Sequence, residues 1–234
     1  MILSLGALAA NATALLPQQT SDWGPDAPHP RNTDANTWSD ATGGWGGTFV
    51  GFGAGYVLES AHLADAGVQH GAGVYALRQS IVDVQATLYT ASIVFGLKRL
   101  TGRCRPWHFV PRGPSGAPGC LDVAHDAFPS GHTAPMGALA GARLITASLA
   151  TGPAGFRWAS FGLTEAMAIT TAILRVEAGA HSWSDVVTGF LIGHAVGVLV
   201  AFAHPMTPVD RRDLTGGIGA PAEGGFALHY SGRL

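Results

Sequence analysis

The chain has 234 residues, 47% of them hydrophobic and only 12% charged, against roughly 25% charged in an ordinary soluble domain. A formal net charge of −2 argues against a nucleic-acid partner, which needs a basic face, and no internal repeat or block of like charge is present. The length suits one domain with a real core, and the composition lies between those of a soluble helical protein and a membrane protein.

Residues 1–16 are apolar but lack the preceding positive residue of a standard signal peptide. Residues 17–47 are rich in Pro, Asp, Asn, Trp and Gly and read as an irregular surface segment. An apolar, Gly-rich helix is predicted over about 48–66 and a second over about 73–100. Gly102 stops the second helix and Pro106 bars its continuation. Residues 107–128 form a long loop, of a length that is often functional. A third helix begins at Ser130, a good N-cap, takes Pro135 in its first turn and runs to about 150. The fourth spans about 156–174. The fifth starts within 182–184 and ends near His204. The remainder, 205–234, reads as a tail with a strand-like alternation at 226–230. The expected organisation is therefore an apolar and irregular segment at 1–47, a helical domain at 48–204 and a tail at 205–234. The expected fold is an all-α bundle of five to six helices.

No segment is a pure span of about 20 apolar residues. The nearest is 186–203, interrupted by His194. Asp83, Arg143 and Glu165 fall near the middles of other helices and must face the bundle interior or water. Two arrangements fit: a membrane bundle with a polar interior, or a helical domain on or near the membrane. Gly189, Gly193 and Gly197 recur every four residues, and Gly137 and Gly141 form a similar pair. Small residues at that spacing let helix backbones approach closely, which brings the face carrying His181 against the helix carrying His132. Cys104 and Cys120 flank the long loop. They either form a disulfide that clamps Arg105 in an oxidising compartment or remain free thiols.

The only lysine, Lys98, opens a pattern of three blocks: Lys98-x6-Arg105-Pro106, Pro129-Ser130-Gly131-His132, and Arg175-x5-His181-x3-Asp185. Arg105 and Arg175 suit the two-pronged contact of a guanidinium with phosphate oxygens, and Lys98 suits a point-charge contact. Ser130 offers a hydroxyl. The N–H groups of Gly131 and His132 point outward at a helix start, where the dipole favours anions. His181 and Asp185 share one helical face, so the carboxylate can fix the imidazole tautomer and leave the other nitrogen free to attack phosphorus. The remaining histidines read as core or surface residues (His62, His70, His194, His204) or as loop residues within reach of substrate (His108, His125). Trp107 and Phe109 either line an entrance for an apolar leaving group or pack the loop down. No zinc spacing such as HExxH is present, which disfavours a metal hydrolase.

Together the blocks resemble the type 2 phosphatidic acid phosphatase superfamily, which includes lipid phosphatases, bacterial acid phosphatases and vanadium haloperoxidases. The likeness spans residues 98–185. It departs in one place, Leu174, where that family usually has serine. The resemblance implies His181 as the nucleophile forming a phosphohistidine, Asp185 as its orienting partner, and His132 as the acid for the leaving alcohol and then the base for water. Lys98, Arg105, Ser130, Gly131 and Arg175 would bind the phosphoryl oxygens, with the site between the helices carrying His132 and His181. No metal or cofactor is implied, and vanadate is expected to inhibit. The implied substrate is a phosphate monoester or pyrophosphate, with the apolar composition favouring a lipid such as phosphatidate or a polyprenyl diphosphate. The implied location is the cell envelope, in or on the membrane, with the site on the extracytoplasmic side. Rival readings are a vanadium-dependent haloperoxidase, for which the chain is short, and a non-catalytic phospholipid-binding envelope protein.

Overall fold

The computed structural model describes residues 16–43 apart from 18, 22, 23 and 28, then 52–53, 55–57, 61, 72–110, 119–120, 125–149 and 154–204. The fold is all-α. Of the helix expected at 48–66, residues 52–53, 55–57 and 61 are helical and the others lie outside the described residues. Residues 1–15 and the tail at 205–234 also lie outside them.

The first element departs from the sequence expectation. Within the supposed irregular segment, Thr33–Gly43 forms helix α1. Its start is capped by Asn32, whose Oδ1 accepts from the N–H groups of Asp34 and Ala35, each at 3.1 Å. The composition that read as loop is largely this cap and a polar outer face. Helix α2, Ala72–Thr101, is 30 residues long, about 45 Å. Gly102 ends it with φ +58°, a left-handed conformation that favours glycine. A 3-10 turn at Pro106–His108 follows. Strands β1 (Phe109–Val110) and β2 (Gly119–Cys120) then pair antiparallel, Phe109 opposite Cys120. A disulfide joins Cys104 to Cys120 across a Cα separation of 5.8 Å. Helices α3 (Thr133–Leu149), α4 (Ala154–Glu177) and α5 (Trp183–Ala203) complete the described bundle.

Among the described elements the most extensive contact is between α3 and α5, and glycine makes it possible. A Cβ at Gly137 would lie 2.6 Å from the Phe190 carbonyl oxygen, and one at Gly189 would lie 2.7 Å from that of Ser130. Gly193 and Gly197 meet the Ala134 and Ala138 carbonyls more closely still. Backbones this near bring the start of α3 against the start of α5. Helix α4 packs on α3, α1 packs on α4, and α2 crosses both α3 and α5.

The interior is polar where the outside is not. Asp83 is fully buried and pairs with Arg143 at 2.5 Å. Gln79 donates to Asp83 at 3.0 Å and accepts from Thr146 at 3.0 Å. Glu165, half-buried, stands 3.8 Å from His194. Ile81, Leu163, Ile173, Leu191 and Phe202 point outward. The segments Tyr75–His108 and Trp183–Ala203 are long and apolar enough to cross a membrane by length and composition.

Candidate active site

All three blocks converge at one end of the bundle. Lys98 lies in the last turn of α2, and Arg105 follows in the loop beyond it. Ser130, Gly131 and His132 form the turn entering α3. Arg175 closes α4, His181 sits in the short connection after it, and Asp185 lies in the first turn of α5. Backbone hydrogen bonds tie these ends together. Ser130 N–H donates to the Asp185 carbonyl at 2.9 Å, Trp107 N–H to that of Gly179 at 3.1 Å, and Asn32 N–H to that of Ala178 at 3.2 Å. Gly179, at φ +68°, turns the chain at the end of α4.

A cavity of about 410 Å³ opens here, lined by Lys98, Arg105, Gly131, His132 and His181 together with Asp126. Ser130, Arg175 and Asp185 are buried around this group but are not among the residues lining the cavity. The Ser130 hydroxyl pairs with Thr133 Oγ1 at 3.0 Å. Gly131 is close enough to Lys98 that a Cβ would lie 3.3 Å from its Cε.

The cations have carboxylate and carbonyl partners that the sequence did not reveal. Arg105 makes a two-pronged contact with Asp126, Nε at 2.7 Å and a terminal nitrogen at 2.8 Å, while its plane lies over Trp107 at 5.6 Å. Lys98 Nζ donates to the Asp126 carbonyl. Burial alone would raise the Asp126 carboxyl, but its bonds to Arg105 and the charges of Arg105 and Lys98 hold it down at about 2. One terminal nitrogen of Arg175 donates to Asn36 Oδ1 at 2.9 Å, Ser39 Oγ at 3.1 Å and Asp40 Oδ1 at 3.2 Å, all on α1. The buried Nε of Arg175 has no partner among the described residues. Leu174, the departure from the family pattern, packs with Trp107 against Ala35, Ala178 and Ala180 and so helps seat α1.

His181 is buried, and its Nδ1 lies 3.7 Å from Asp185 Oδ2, beyond hydrogen-bond distance. The orienting bond expected between them is thus open, and Nδ1 has no partner among the described residues. Burial, followed by the charges of Lys98, Arg175, Arg105 and His132, holds the His181 imidazole well below its ordinary range. Asp185 is itself held firmly. It accepts from Ser182 N–H at 2.7 Å and from Arg103 at 2.6 Å. Arg103, only 1% exposed, also reaches the Gly24 carbonyl at 2.9 Å and Asp26 at 2.7 Å. His132 Nε2 lies 2.9 Å from Asp40 Oδ1. Burial and the Arg175 charge push the His132 imidazole down to about 4 despite Asp40.

Arg103 had one sequence signal, its position between Lys98 and Arg105; Asp26, Asp40 and Asp126 had none. Among the described residues no cluster of three or more His, Cys, Asp or Glu side chains is placed to hold a metal ion.

Fixed cations, a buried imidazole and a second histidine at the mouths of helices are suited to holding an anionic group. Residues 80–207 match the PAP2 superfamily, and the chain belongs to it. It is also similar to a lipid A 1-phosphatase of Rhizobium etli, 34% identical over 127 residues that cover 52% of this chain and 50% of the relative. The chain thus spans about half the length of that curated relative. No solved structure is a significant match.

Proposed function

We propose that this chain is a phosphatase that hydrolyses a lipid-linked phosphate monoester or pyrophosphate through a phosphohistidine intermediate. The observation that carries the reading is the convergence of Lys98, Arg105, Gly131, His132 and a buried His181 on one cavity. A neutral ring nitrogen of His181 attacks phosphorus, forming a P–N bond as the P–O bond to the leaving group breaks. His132 delivers its proton to the departing oxygen. Water then gives a proton to His132 and attacks phosphorus; the P–N bond breaks and phosphate leaves. Lys98, Arg105 and Arg175 neutralise charge on the phosphoryl oxygens, with Arg105 exchanging Asp126 for substrate.

The cavity wall supports an apolar leaving group. Thr87, Ala91, Val94 and Phe95 line it along one face of α2, leading away from Lys98 over about 16 Å at 1.5 Å per residue. That track suits an acyl or prenyl chain, as in phosphatidate or a polyprenyl diphosphate. The outward apolar side chains and the relative named for lipid A support a membrane-associated envelope protein. The Cys104–Cys120 disulfide beside Arg105 supports a site on the oxidising, extracytoplasmic side.

The test is phosphate release from an aryl phosphate and from phosphatidate in detergent with chelator present. Wild type is expected to release phosphate from both, vanadate to block release, and His181→Ala to lower the rate by on the order of a thousandfold or more. Undiminished release by His181→Ala, or loss of wild-type release on adding chelator, refutes the mechanism.

A further inference from the structure

Helix α1 lies outside the residues that match the family, 80–207, yet it enters the site. Asp40 is the residue through which it does so. Its Oδ1 touches His132 Nε2 at 2.9 Å and Arg175 at 3.2 Å. Its Oδ2 accepts from Asn36 Nδ2 one turn earlier at 3.1 Å. Both carboxylate oxygens are therefore engaged. The helix bearing them is fixed in turn, since Asn36 and Ser39 also hold Arg175 and the chain before it bonds to Ala178.

We propose that Asp40 is a positioning residue for His132: by accepting from Nε2–H it orients the ring and favours its doubly protonated form, whose Nδ1–H is the proton delivered to the departing oxygen, while the same carboxylate oxygen steadies Arg175. The arrangement parallels a carboxylate orienting the base of a catalytic triad. The groups around His132 set Asp40 apart from the rest. Burial, Arg175 of α4, Arg105 of the loop and Lys98 of α2 all disfavour the protonated ring that the acid step needs, and Asp40 of α1 is the group that favours it. The inference rests on the phosphatase reading for its catalytic half only.

The experiment compares Asp40→Ala and Asp40→Asn with wild type on two esters, an alkyl phosphate with a poor leaving group and an aryl phosphate with a good one. A general acid matters mainly for the poor leaving group, where such catalysis is worth about 10²–10⁴-fold. Asp40→Ala is expected to lower kcat on the alkyl ester by about tenfold or more and on the aryl ester by less than about threefold. In parallel, the His132 imidazole titration is followed by NMR, and its midpoint is expected to fall in Asp40→Asn. An equal loss on both esters, an unchanged titration, or tighter vanadate binding with faster turnover in either variant overturns the proposal; the last would make Asp40 an occupant of the anion site. If wild type hydrolyses neither ester, the phosphatase reading fails. The titration then decides the Asp40–His132 link alone: a lowered midpoint sustains it and an unchanged one overturns it.

Discussion

Gly189→Ala tests whether helix contact sets the geometry of the site. The new Cβ would lie 2.7 Å from the Ser130 carbonyl oxygen and 3.2 Å from its nitrogen. Ordinary contact begins near 3.4 Å, so relief requires a displacement of about 0.7 Å, the difference between 3.4 and 2.7 Å. The atoms that must move are the backbone of Ser130, one residue before Gly131 and two before His132. A misplacement of about 1 Å can cost on the order of a hundredfold in rate, so a loss of roughly tenfold to a hundredfold in kcat is expected. Stability should change less. Overpacking costs about 1–3 kcal/mol, and alanine in a helix interior returns about 1 kcal/mol relative to glycine, leaving a net loss of about 0–2 kcal/mol. Gly162→Ala is the control, because nothing lies within 4 Å of a Cβ there; it should be neutral or stabilising and leave kcat unchanged. Phosphate release and thermal unfolding in the same detergent read both effects. A Gly189→Ala protein with full kcat and a raised Tm would refute the reasoning.

Arg103→Met leaves the buried Asp185 carboxylate without its guanidinium partner at 2.6 Å. A loss of about 3–5 kcal/mol in unfolding free energy is expected by denaturant titration, and a loss under about 1 kcal/mol would contradict the role given to Arg103. Cys120→Ser opens a disulfide spanning a sequence separation of 16, which should lower stability by about 3 kcal/mol; an unchanged Tm under reducing and oxidising conditions would count against it. Acid should destabilise the site end of the bundle through two groups whose folded values are depressed. His132 lies at about 4 against 6.5, and Asp126 at about 2 against 3.8. In both cases the unfolded chain binds more protons between the two values. The His132 contribution is therefore complete above pH 6.5 and lost toward pH 4, and the Asp126 contribution is complete above about pH 4 and lost toward pH 2. His132→Gln should flatten the upper of these windows in a series of Tm against pH, and a profile identical to wild type would sink that assignment.

Much of the bundle was legible as a string. Gly102 and Pro106 mark the end of α2, Ser182 and the apolar run after it mark α5, and the four-residue glycine spacing gives the α3–α5 contact. Each of these is a local rule: capping, backbone freedom or helical periodicity acts within a few residues. The three blocks were legible for the same reason, since each sits at a helix end whose chemistry is nearby in sequence. The partners of those blocks were not. Asp40 reaches His132 and Arg175 from α1, Asp126 takes up Arg105, and Arg103 bridges Asp26 to Asp185. No spacing rule links residues 77 or 135 positions apart, as Arg103–Asp26 and Arg175–Asp40 are. Helix α1 itself was hidden because polar, turn-forming residues have weak helical preference, and packing on α4 with the Asn32 cap outweighs that preference. The same physics opened the His181–Asp185 pair. Four-residue spacing places both on one face, but His181 precedes the first turn of α5, so its ring meets the carboxylate at 3.7 Å while Arg103 and the Ser182 N–H claim the carboxylate's hydrogen bonds. Local periodicity names the residues that can meet; competition among buried donors and acceptors, settled by the whole fold, selects which of them bond.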